Sequence, residues 1–153
     1  MTPTFTRRSA LAALGATSLV TLAGQAKAAD FTLKLSNYLP PRHGFTADFM
    51  APWAAEITER TNGAVAVELF DATSAFGNIT RQADQVRAGV IDIGLGLNGI
   101  PRDRYPSAAV IEMPFLVEDA GAGSKALWQL YKEGALGSDY QDYKVLGLFT
   151  HHG

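Results

Sequence analysis

The chain of 153 residues contains no cysteine. That absence excludes disulfides, thiolate metal sites and a lipid-bearing cysteine, and leaves an oxidising compartment compatible but not required. Histidine is scarce, at three residues. No H-E-x-x-H, G-x-S-x-G or G-x-x-x-x-G-K-S/T pattern occurs, which removes the zinc helix, the nucleophile elbow and the phosphate loop. Positive charge is also short, with 13 Lys and Arg against 15 Asp and Glu. Without a basic cluster or interleaved aromatics and cations, the chain is a poor nucleic-acid binder. No apolar run reaches the roughly 20 residues that a bilayer span needs.

What is present begins with an export pattern. Thr6-Arg7-Arg8-Ser9 is a twin-arginine pair, the small apolar run Ala10 to Ala23 follows, and Ala26-Lys27-Ala28 gives an A-x-A cleavage signature. Residues 1–28 therefore read as a signal peptide of the twin-arginine type, with the general secretory route as the alternative, cleaved after Ala28. Arg7, Arg8 and Lys27 leave with it and no acid does. Thirteen less three leaves ten basic residues against fifteen acids, so the mature chain is distinctly acidic.

The mature part, residues 29–153, is about the length of one ordinary domain. Its pattern is α/β. Phe31 to Ser36 alternates as a strand, and Phe45, Phe49, Trp53 and Ile57 make one apolar stripe of a helix that Asn62-Gly63 terminates. Pro52 lies inside the stripe and implies either a kink or a helix start near Ala51. Val65, Val67 and Leu69 form the inward set of a second strand. Asn78 caps the next helix, with Ile79, Ala83, Val86 and Val90 inward, and Arg81 faces solvent beside Asp84. Ile91 to Gly96 reads as a third strand and Gly94 to Gly99 as a flexible loop. Ala108 to Ile111 reads as extended, Met113-Pro114-Phe115 as a packed crossover, and Asp119 as the cap of a helix through Trp128 and Tyr131. A short helix around Ala135 to Tyr143 and a last strand, Val145 to Thr150, complete the series. Strands separated by helices require a mostly parallel sheet, and ligands of such sheets lie at the carboxyl ends of the strands.

Thr61-Asn62-Gly63 before an apolar strand, Phe76-Gly77-Asn78 opening a helix, Arg87 to Gly94, and Met113-Pro114-Phe115-Leu116 occur in one order. In that order and spacing they resemble the extracytoplasmic solute-binding subunits of tripartite ATP-independent periplasmic (TRAP) transporters, of the dicarboxylate-binding type. The resemblance covers essentially all of the mature chain. It implies a two-lobed periplasmic binding protein fold, of which residues 29–153 are the amino-terminal lobe, truncated and incomplete. It further implies a periplasmic, non-enzymatic receptor that captures a small organic acid, needs no cofactor or metal, and delivers its ligand to the transporter's membrane subunits. The arginine that usually grips the ligand carboxylate in this family lies in a later segment. Within the present sequence the matching ligand-binding positions are Asn37 and Tyr38 after the first strand, Asn78 at the second helix start, Leu97 and Asn98 after the third strand, and His151 after the last.

The residues themselves leave plainer roles open. Asn37 reads equally as a loop cap, Asn78 as a helix cap and Asn98 as a turn residue. His151 and His152 point to opposite faces of an extended segment and do not share a metal ion easily. The competing classes are an exported enzyme of the twin-arginine route, for which no nucleophile, metal or phosphate motif is found, and the ligand-binding lobe of a sensor.

Overall fold

The computed structural model describes residues 28–151. The signal-peptide reading of the leader, and His152, lie outside the described residues. Three parallel strands form one sheet in the order β2-β1-β3: β1 Phe31–Ser36, β2 Val65–Phe70 and β3 Ile93–Gly94. β1 and β2 pair along their full length, Phe31 opposite Val65 through Ser36 opposite Phe70. β3 meets only Leu35 and Ser36, with flanking bonds from Asp92 N–H to Lys34 O and Leu95 N–H to Ser36 O. The third strand is thus shorter than the expected Ile91 to Gly96. The alternation in β1 holds only loosely, because burial grows along the strand. Phe31 is exposed, Leu35 is buried, and the polar Ser36 is buried too. β2 is half-buried throughout except for exposed Glu68, as an edge strand with one open flank would be.

The chain between β1 and β2 illustrates what proline does. A π-helical turn, Phe45–Met50, precedes α1, Ala51–Arg60. Ala51 N–H donates to Thr46 O, five residues back, and Pro52, which has no N–H to offer, falls in the first turn of α1. The wide turn shifts the buried face. Thr46, Met50 and Ala54 point inward, whereas Phe49 of the expected stripe is exposed. Phe45 instead stacks on Phe149, with ring centroids 4.9 Å apart. The Asn-Gly stop behaves as expected. Asn62 and Gly63 are both left-handed, at φ 51° and 78°, and Gly63 N–H closes on Thr58 O. Thr61 Oγ1 donates to Ile57 O and accepts from Val65 N–H at 3.0 Å, joining the helix end to the start of β2.

After β2, Asn78 caps a 3-10 turn, Ile79–Arg81, that runs into α2, Gln82–Arg87. Asp84 does not serve Arg81. It pairs with Arg104 at 2.7 Å and with Arg87 at 3.2 Å. Ala108–Glu112 is a 3-10 helix, not an extended piece. Its first free N–H, on Ala108, is taken by the Asp139 carboxylate, which favours a helical start over strand pairing. α3, Ala120–Lys132, is capped by the Asp119 side chain as expected. Residues 135–143 form successive turns rather than a helix, with Gly134 and Gly137 at positive φ interrupting them. Residues 145–150 join no ladder among the described residues. Their end is held by α3, through Thr150 N–H to Ser124 Oγ at 2.9 Å. The Met113 to Leu116 segment is not a packed crossover, since Met113, Phe115 and Leu116 are exposed, Phe115 at 94%.

The core beside the sheet gathers Tyr105, Ala108, Leu127 and Leu136, with Tyr131, Tyr140 and Tyr143 packed against them. The rings of Tyr105 and Tyr140 stack at 4.7 Å. No helix among the described residues is long and apolar enough to cross a membrane.

Candidate functional site

A cleft of about 830 Å³ opens at the carboxyl ends of β1 and β3, between them and residues 144–151. This is where a parallel sheet is expected to take a ligand. The walls are largely apolar, with Leu39, Phe45, Ile79, Leu95, Leu97 and Leu148 among them. The polar groups include Tyr38, Asn98, Glu112 and Tyr140 around the β3 loop, and His43, Asp92, Asp142, Lys144 and His151 elsewhere in the lining. Apolar walls with a few placed polar groups are the usual make-up of a small-molecule site.

Tyr38, Leu97, Asn98 and His151 therefore share this cleft, as four of the six positions named from sequence. Asn37 lies beneath it. Its side chain is fully buried, accepting from Leu39 N–H at 2.8 Å and donating to Phe70 O. Thr46 Oγ1 also donates to Asn37 Oδ1. These bonds fix the turn that presents Tyr38. Asn78 is exposed, and its Oδ1 accepts from the backbone N–H and the hydroxyl of Thr80 at 2.9 and 2.8 Å, a helix-capping geometry.

The loop after β3 is braced by side chains from later segments of the chain. The Glu112 carboxylate accepts the backbone N–H groups of Asn98 and Gly99, at 2.9 and 3.0 Å, one on each oxygen. The Tyr140 hydroxyl donates to Asn98 Oδ1, and Leu97 bridges Ile100. The glycines divide accordingly. A Cβ on Gly99 would stand 2.6 Å from Glu112 Oε2, whereas one on Gly96 meets nothing within 4 Å. Burial, aided by the negative charge of Glu112, raises the Tyr38 phenol above its ordinary value. Burial likewise raises Tyr140, with Tyr105, Asp139 and Glu112 adding to the effect. Both phenols are neutral donors at physiological pH.

Three residues of this region carry no sequence signal of their own. Glu112 stands before a Met-Pro pair at no diagnostic spacing, and Tyr140 falls in a segment read as helix. Gln82 is buried, and its Nε2 donates to Phe76 O at 2.8 Å and Ser36 Oγ at 3.3 Å, stitching α2 to the end of β1. No group of three or more potential metal ligands occurs among the described residues.

The model of the bacterial extracellular solute-binding protein family 7 matches residues 35–153. The outer membrane transporter protein TsaT of Comamonas testosteroni is 34% identical over 147 residues, covering 95% of this chain and 42% of its own. A TRAP solute-binding protein of an unidentified marine-metagenome microbe, specific for aromatic acid ligands and co-crystallised with 3-hydroxybenzoate, superposes with a TM-score of 0.72. It is 35% identical, over 79% of this chain and 38% of its own. A TRAP solute-binding protein of Rhodoferax ferrireducens, with copurified benzoate, gives a TM-score of 0.72 at 28% identity, over 79% and 37% of the two chains. The chain thus spans less than half the length of each of these relatives.

Proposed function

The chain belongs to family 7 of the bacterial extracellular solute-binding proteins, and on that premise we propose that it contributes the amino-terminal lobe of a receptor for a small organic acid. The receptor acts outside the cytoplasm and hands its ligand to the membrane subunits of a TRAP transporter. Residues 1–28 are the export signal in this reading, and residues 29–153 the lobe. The observation that carries the proposal is the cleft at the ends of β1 and β3, where apolar walls surround Tyr38, Leu97, Asn98 and His151. We assign these four as the ligand-facing positions, with Asn37 and Asn78 fixing the loops that carry them. A receptor of this kind binds and closes without covalent chemistry.

The apolar walls favour a ligand with a hydrocarbon or aryl body over a short, fully polar acid, since each buried apolar Å² stabilises by about 25 cal/mol. The ligands of the two solved relatives, 3-hydroxybenzoate and benzoate, are of that type. Titration calorimetry of the native full-length protein against a panel of aromatic and aliphatic carboxylates tests the proposal. Saturable binding of at least one, at micromolar affinity or tighter, is expected. A panel without any binder overturns it.

A further inference from the structure

We infer that Glu112 is a specificity-determining residue of the cleft: it occupies the anion-accepting end of the β3 loop, so the ligand presents an uncharged end to Asn98 and carries its single carboxylate elsewhere. The inference rests on the organic-acid reading above and narrows it to monocarboxylates.

Two consecutive backbone N–H groups just past the end of a parallel strand form a natural receptor for an anion. Here that receptor is already filled. The N–H groups of Asn98 and Gly99 go to the two oxygens of Glu112, at 2.9 and 3.0 Å. The carboxylate lies so close under the loop that a Cβ on Gly99 would meet Oε2 at 2.6 Å. A ligand carboxylate arriving at this end would find its donors taken and a like charge beside it. In a cleft with mostly apolar walls such repulsion is weakly screened. A hydroxyl or carbonyl meets no such penalty. Asn98 Oδ1 accepts from Tyr140, which leaves its amide nitrogen as a donor. Glu112 retains acceptor capacity for a ligand hydroxyl, because a carboxylate offers about four lone-pair sites. The Tyr38 phenol, which also lines the cleft, adds a neutral donor.

The test uses three ligands of one shape on the native full-length protein: 3-hydroxybenzoate, benzene-1,3-dicarboxylate and 3-carbamoylbenzoate. The last matches the dicarboxylate in size but bears one charge. Calorimetry should give Kd values for both monoanions at least tenfold below that of the dicarboxylate. In Glu112→Gln that gap should shrink at least threefold, chiefly through tighter binding of the dicarboxylate. Equal or tighter binding of the dicarboxylate by the wild type overturns the inference. So does an equally weak carbamoyl compound, which would make size the criterion. A variant that weakens all three ligands alike would reduce Glu112 to a structural brace and also overturn it. Should Glu112→Gln not fold, the wild-type comparison of the dicarboxylate with the carbamoyl compound decides alone. If none of the three binds while another carboxylate does, the inference about Glu112 is overturned but the receptor reading stands. If no carboxylate binds at all, the receptor reading itself fails.

Discussion

Asp84 and Arg104 form a 2.7 Å ion pair that ties α2 to the loop after β3, twenty residues further along the chain. The Arg104 guanidinium also reaches the Tyr143 hydroxyl, which in turn donates to Ala83 O. One cation therefore joins three segments. Arg104→Ala should lower stability in urea denaturation. Because Asp84 is about half exposed, the expected loss is about 1 kcal/mol or less, and it should diminish in high salt. A loss unaffected by salt would point to packing of the arginine stem instead.

Gly77 and Gly63 should respond to alanine for different reasons. A Cβ on Gly77 would stand 2.5 Å from Asp71 O and 2.6 Å from Ala72 Cα, both backbone. Gly63 has open space but a φ of 78°. Gly77→Ala is expected to cost about 1–3 kcal/mol through overpacking. Gly63→Ala should cost about 1 kcal/mol from the left-handed conformation. Denaturation midpoints of the two variants measure the difference, and the opposite ranking would contradict the steric account.

Thr61→Val keeps the shape of the side chain and removes its hydroxyl. Val65 N–H then loses its 3.0 Å acceptor at the first residue of β2. A half-buried donor left unpaired costs about 1–3 kcal/mol. The variant should melt earlier while its near-ultraviolet circular dichroism stays native below the transition.

Alkaline unfolding should involve the tyrosines. Tyr38, Tyr105 and Tyr140 all have folded pKa values raised above the ordinary 10.0, in each case chiefly by burial. The folded state holds these protons more tightly than the unfolded chain. Their contribution is therefore fully present below pH 10 and is lost as pH rises through the folded values. Stability followed by denaturant titration should fall above pH 10, and Tyr140→Phe should flatten that fall. A curve that is level from pH 9 to pH 12 would contradict the sign.

Phe115 combines a φ of 63° with 94% exposure. Asn tolerates that conformation better and removes an exposed ring. Phe115→Asn should leave the denaturation midpoint unchanged or slightly raised. It should also reduce self-association in sedimentation velocity, since Val110, Met113 and Leu116 are exposed on neighbouring positions.

Much of this architecture was legible because the punctuation is local. Asn62-Gly63, Asn78 and Asp119 each act through bonds to residues within a few positions, so their sequence signals need no knowledge of the fold. The β1 and β2 strands were equally readable from their composition. Segments whose state depends on distant partners were not. Ala108–Glu112 turns helical with Asp139 taking its first N–H, and residues 145–150 are fixed by Ser124 rather than by a neighbouring strand. The apolar stripe from Phe45 follows the ordinary helical period in the sequence, and the π-helical turn before Pro52 breaks it. In the cleft, Tyr38, Leu97, Asn98 and His151 are positions that the family resemblance implied, and all four line it. Glu112 and Tyr140 escaped because their importance arises only when the chain brings them 14 and 42 residues back to Asn98.

The unequal ladders of the sheet have a kinetic meaning. β1 exchanges bonds with β2 over six residue pairs but with β3 over two. The β1-α1-β2 unit is contiguous in sequence and carries most of the ladder, so it should open and close as one cooperative block. The β3 loop, which carries Asn98, is attached to that block by a much shorter seam. Amide deuteration should therefore be slowest in the middle of β1 and β2 and markedly faster from Ile93 onward. The lobe would thus keep its scaffold shut while the segment that carries Asn98 breathes on its own timescale.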